Sequence, residues 1–141
     1  MKSATSVEVR RRLPAPPDEV FRWWTEPELM RKWMTPTGEV EAYVDLRAGG
    51  TLRVVMSGGG MVIEHVGTFL EIERPSRLVF TWASRYTGPT PSLVTVEFRP
   101  AAGNATDLRI THTELPEEAT TSHGGGWNAM LGRLEGALHG D

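Results

Sequence analysis

GTFLEIERPSRLVFTW, residues 67–82, alternates apolar and polar side chains on either side of Pro75-Ser76. Leu70 and Ile72 precede the turn, and Leu78, Phe80 and Trp82 follow it at a spacing of two. Glu71, Glu73 and Thr81 fill the alternate positions. Successive side chains of a strand point to opposite faces, so this stretch reads as two antiparallel strands with one apolar face and one wet face.

The same period runs outward in both directions. Residues 40–46, 51–56, 61–72, 77–84, 93–99 and 107–113 read as six strands. Gly49-Gly50, Gly58-Gly59-Gly60, Pro75-Ser76, residues 88–91 and Ala102-Gly103-Asn104 punctuate them. Links this short imply an antiparallel meander. One face is expected to carry Leu52, Val54 and Met56, then Val66, Leu70 and Ile72, then Leu78, Phe80 and Trp82. Val94, Val96 and Phe98, with Leu108, Ile110 and His112, continue it. Arg53, Glu71, Thr95, Glu97, Arg99 and Arg109 belong to the other face, so one side of the sheet needs a cover.

Ahead of the meander, residues 6–13 read as an edge strand stopped by Pro14, Pro16 and Pro17. Residues 18–24 are helical, with Val20, Phe21 and Trp24 on one face. Thr25-x-x-Glu28 has the capping-box pattern for a second short helix, which Pro36 ends. At the other end Trp127, Leu131, Leu134 and Leu138 mark the stripe of a long helix, widened by Met130 and Ala137. Gly124-Gly125-Gly126 predicts that this helix starts near Gly126 or has a weak first turn. The order is therefore β-α-α-β(six)-α, an α+β arrangement in one domain over residues 1–141.

Composition narrows the function. The chain has no cysteine, which excludes disulfides, thiolate catalysis and Cys-type zinc sites. A net charge of −3 argues against nucleic acid and anionic membrane as partners. No stretch approaches a membrane span and residues 1–6 have no signal-peptide core, so the cytoplasm is the expected location. Five tryptophans among 141 residues is the unusual number.

The string Val20-Phe21-x-x-Trp24-Thr25-x-Pro27-Glu28-Leu29-x-x-x-Trp33-x-x-Pro36 resembles the opening of the activator of heat-shock protein ATPase homologue (Aha-type) family. Asp45-Leu46-Arg47-x-Gly49-Gly50, the 67–82 stretch, and His123-x-x-x-Trp127-x-x-x-Leu131-x-x-Leu134 extend the likeness in the same order. That family lies in the START-like, or SRPBCC, superfamily of Bet v-like helix-grip proteins. The resemblance implies a curved seven-stranded antiparallel sheet wrapped around the C-terminal helix, with a hydrophobic cavity between them. The superfamily includes lipid and hormone binders, polyketide cyclases, toxin-sequestering resistance proteins and a chaperone activator, and fold does not choose among these. Met34 stands where a second Trp often follows Trp33, and Trp23 where a small residue is usual.

No sequence pattern assembles a nucleophile, base and orienter, and none has metal-ligand or phosphate-loop spacing, so no catalytic residue, metal or cofactor is expected. Glu64 and His65 adjoin on a strand and point to opposite faces, so they cannot share a metal. His112 is the one histidine on the expected apolar face: a hydrogen-bonded core imidazole, or a polar contact in the cavity. Trp82, Trp127, Phe80 and Phe98, with Met56 and Met130, either fill the core or line a cavity for a flat apolar ligand. Trp24 and Trp33 of the helix pair and His112 complete the expected ligand-binding set. Trp82 and Trp127 are the pair expected to face each other across it. The leading expectation is a carrier or sensor of a small hydrophobic molecule (lipid, polyketide or aromatic). A polyketide-type cyclase or dehydratase using His112 or Arg85, and a chaperone-interaction module, are the alternatives. Arg85 and Tyr86 open the loop that could anchor a carboxylate, and Met61, Ile63 and Phe69 form the candidate patch for a homodimer on the wet face.

Overall fold

The computed structural model describes residues 6–36, 39–58, 60–85, 87 and 91–139. Its elements are β1 (Val7–Leu13), α1 (Pro17–Thr25), α2 (Pro27–Met30), β2 (Val40–Val44), β3 (Thr51–Gly58), β4 (Met61–Glu73), β5 (Arg77–Trp82), β6 (Ser92–Ala101), β7 (Ala105–Thr113) and α3 (Thr120–Leu138). A 3-10 turn at Glu117–Ala119 leads into α3. The strands form one curved antiparallel sheet in the order β1-β7-β6-β5-β4-β3-β2. This is the helix-grip architecture that the order of elements implies, and the expected strands differ from the observed ones only at their ends.

The inner face holds Leu52, Val54, Leu78, Phe80, Val94, Val96, Phe98, Leu108 and Ile110, all buried. Against it lie α1, α2 and α3, the last through Trp127, Met130, Leu131 and Leu134. The outer face is laced with ion pairs such as Arg12–Asp107 at 3.0 Å and Arg53–Glu64 at 2.5 Å. Exposed pairs of this kind contribute little stability.

One strand is the reverse of its expected reading. In β4 it is His65, Gly67 and Phe69 that turn inward, while Val66 and Leu70 are 41% and 49% exposed. Both parities of residues 61–72 carry apolar side chains, so alternation alone does not choose between them. A bulge between Phe69 and Glu71 then swaps the faces again and returns Ile72 to the core edge. Gly67 permits the close approach of β4 to β5 here: a Cβ would lie 1.8 Å from the Thr81 carbonyl oxygen. Phe69 is buried on the inner face, so it does not join Met61 and Ile63 in the expected patch on the wet face.

The helices carry two further corrections. No capping box forms at α2: Glu26 is its N-cap, and Thr25 ends α1 with its hydroxyl donating to the Phe21 carbonyl at 2.9 Å. Pro27 at the first helical position, with no N–H to satisfy, starts α2 instead. Nor does α3 wait for Gly126; it runs through all three glycines from Thr120. Gly124 has a packing reason, since a Cβ there would come within 3.1 Å of Val7 Cγ1. Gly125 has open space around it. Gly125→Ala is therefore expected to stabilise the protein by about 1 kcal/mol, the helix-propensity difference, as a rise in the urea midpoint. A loss of stability would mean that this turn is not helical in solution.

Candidate functional site

The tryptophans form a continuous column. Trp33 packs on Trp24 with centroids 4.9 Å apart, and Trp24 stacks on Trp127 at 5.8 Å. Trp127 meets Trp82 at 5.9 Å, and Trp82 stacks on His65 at 4.5 Å. Trp82 and Trp127 therefore touch along one wall and do not face each other across a cavity. Trp23 stays outside the column: its indole N–H donates to Glu19 at 3.0 Å, and its carbonyl accepts from the Trp33 indole at 3.0 Å.

Behind that wall runs a buried hydrogen-bond chain that links α3 to three strands. The Trp127 indole N–H donates to His112 Nδ1 at 3.0 Å. An indole can only donate, so Nδ1 carries no proton and the neutral ring holds its proton on Nε2. Nε2–H then donates to Ser92 Oγ at 2.7 Å, and the Ser92 hydroxyl donates to the Trp82 carbonyl at 2.6 Å. Burial is the main cause that lowers the His112 pKa to about 3, with His123 and His65 adding to it. Both ring nitrogens are thus engaged within the protein.

His65 differs. Burial lowers its pKa to about 4, so it too is neutral at pH 7. Its Nδ1 is buried and completes no hydrogen bond, although the Val54 carbonyl of the paired strand lies nearby. His123 Nδ1–H donates to the Ala119 carbonyl of the preceding turn at 2.9 Å, since a carbonyl oxygen can only accept.

Between sheet and helices the described residues leave little space. The gap bounded by Trp24, Phe80, Trp82 and Trp127 measures about 10 Å³, no more than a water's share of space. Open space lies instead at one end of the barrel-like grip, where the start of β4 and the end of β3 rise beside α3. A groove of about 380 Å³ is lined there by Met56, Met61, Ile63, His65, Trp82, His123, Gly126, Trp127 and Met130. A second lobe of about 400 Å³ shares Met56, Met61, Ile63, Gly126 and Met130 with it and continues to Met34, Thr35, Pro36 and Arg133. Each lobe has the size of a small-molecule site.

Of the expected site residues, Met56, Trp82, Trp127 and Met130 meet at this groove. Trp24 and Phe80 border only the small interior gap. Phe98 packs on Phe21 at 5.4 Å, and Trp33 and His112 are wholly buried. Met61, Ile63 and His65 join the groove because β4 has the opposite parity to the one expected. Arg85 bonds the Val62 carbonyl, and Tyr86 with most of its loop lies outside the described residues. Among the described residues no three His, Asp or Glu side chains gather to hold a metal ion, and no helix is long and apolar enough to cross a membrane.

The family model described as Activator of Hsp90 ATPase homolog 1-like protein matches residues 14–139. The chain belongs to that family. Among solved structures, this family member is similar to protein CV1439 from Chromobacterium violaceum, with a TM-score of 0.86 and 24% identity over 97% of this chain and 99% of that one. PFC0360w, an HSP90 activator from Plasmodium falciparum, is 28% identical over 96% of both chains, with a TM-score of 0.78. CalU16 from Micromonospora echinospora is 29% identical over 94% of this chain and 74% of that one, with a TM-score of 0.72. No curated protein matches the chain.

Proposed function

We infer that this family member binds a small hydrophobic molecule, as a carrier or sensor, in the groove between β3, β4 and α3. The observation that carries the reading is an open apolar groove of about 380 Å³ beside a core with no comparable space. Three methionines and two tryptophans line it, a surface that adapts to an apolar guest and stacks on a flat one. His65 gives the guest one neutral polar neighbour. The cyclase reading through His112 gains nothing from the geometry, since His112 has no free ring nitrogen.

N-phenyl-1-naphthylamine, a neutral dye that brightens in apolar sites, tests the reading. Saturable binding to the wild type is expected, weakened at least about tenfold by Ile63→Lys, which sets a charge where the two lobes meet. Absence of binding, with no ligand carried through gentle purification and detected by native mass spectrometry, would exclude it.

A second reading rests on the family itself and on the likeness to the Plasmodium falciparum HSP90 activator. In it the protein docks on a chaperone ATPase through an outer surface. Stimulation of an Hsp90 ATPase that Ile63→Lys leaves unchanged would favour it over the groove.

A further inference from the structure

The second lobe ends on a cation with no counter-ion among the described residues. Arg133 projects from α3, and its Nε donates to the Trp33 carbonyl at 3.0 Å and its Nη2 to the Met34 carbonyl at 3.3 Å. No carboxylate among the described residues pairs with it. Among the described residues, neither lobe is lined by Asp or Glu. A guanidinium has five N–H donors, so the two carbonyls leave the Nη1 hydrogens and one on Nη2 unused. Those donors are adjacent and coplanar, the fork that fits a carboxylate. Burial also disfavours the charged guanidinium, which raises the gain from an incoming anion.

We propose that the ligand is an apolar monocarboxylate, its carboxylate on Arg133 and its tail lying past Met130 and Met56 toward the Trp82–Trp127 wall. This rests on the reading of the groove as a small-molecule site and adds the chemical class. A single guanidinium set among methionines balances one negative charge. A dianionic phosphate would leave charge unpaired in an apolar lobe.

The test compares 8-phenyloctanoate, 8-phenyloctan-1-ol and 8-phenyloctyl phosphate by displacement of N-phenyl-1-naphthylamine. The carboxylate is expected to bind the wild type at least about tenfold more tightly than the alcohol and more tightly than the phosphate. Arg133→Gln should bring the carboxylate to the level of the alcohol, and Arg133→Lys should restore part of the preference. Equal affinity for acid and alcohol, or dye binding that neither displaces, overturns the monocarboxylate while leaving the groove reading intact. Failure of the dye itself to bind overturns both. If Arg133→Gln does not fold, the wild-type Arg133 Nε–H resonance decides: it should shift on titration with the carboxylate and not with the alcohol, and an unmoved resonance overturns the proposal.

Discussion

Trp127→Phe is expected to destabilise the protein by about 3 kcal/mol, although ring and burial are largely kept. The Trp127 indole donates to His112 Nδ1, with no other donor to it among the described residues, and both residues are buried. Phenylalanine leaves that nitrogen as a dehydrated acceptor without a donor, at roughly 1–3 kcal/mol. The smaller ring adds a cavity beside Trp24 and Trp82, which stand 5.8 and 5.9 Å from Trp127. Trp23→Phe makes the contrast, because its indole bonds a part-exposed Glu19 at the surface and should lose well under half as much. Urea unfolding of the two variants compares them directly. Equal losses, or a cost below about 1 kcal/mol for Trp127→Phe, would mean that the Trp127–His112–Ser92–Trp82 chain does not hold the helix to the sheet.

Stability is also expected to fall by about 4 kcal/mol between pH 7 and pH 5. His65 and His112 titrate near 6.5 when unfolded but only at about 4 and about 3 in the folded protein. The unfolded chain therefore binds more protons throughout this window, so stability is complete above about pH 6.5 and is lost as the pH falls. Each histidine contributes about 1.4 kcal/mol per pH unit at most. Burial is the first cause for both, and an electrostatic contribution from nearby His123 acts in the same direction on each. The depressed carboxyl groups of Glu26 and Asp107 are solvent-exposed and act at lower pH. A loss of this size is a large share of the 5–15 kcal/mol typical of a domain. His65→Leu should roughly halve the slope, whereas a flat midpoint from pH 7 to pH 5 would show that neither imidazole is buried neutral.

The architecture was legible because period-two stretches separated by turn residues leave little choice of topology. The site was less so. His112 could be placed on the inner face, but Ser92 fell just outside its expected strand, and Trp127 comes from an element whose angle no periodicity gives. β4 was ambiguous because Ile63 and Phe69 oppose Val62, Val66 and Leu70 on adjacent parities. That one reversal hid His65, Met61 and Ile63 from the candidate set. Arg133 gave no signal, since a cation on an amphipathic helix ordinarily faces water; its setting depends on the Trp33 and Met34 carbonyls, a hundred residues away.

Methionine methyl groups report most directly on the groove. With carbon-13-labelled methionine, titration with N-phenyl-1-naphthylamine should shift the resonances of Met56, Met61 and Met130, which line both lobes, saturably and together. Met30, buried in the filled interior, should stay in place. Shifts confined to Met30, or none at all under conditions where the dye binds, would contradict the groove as the binding site.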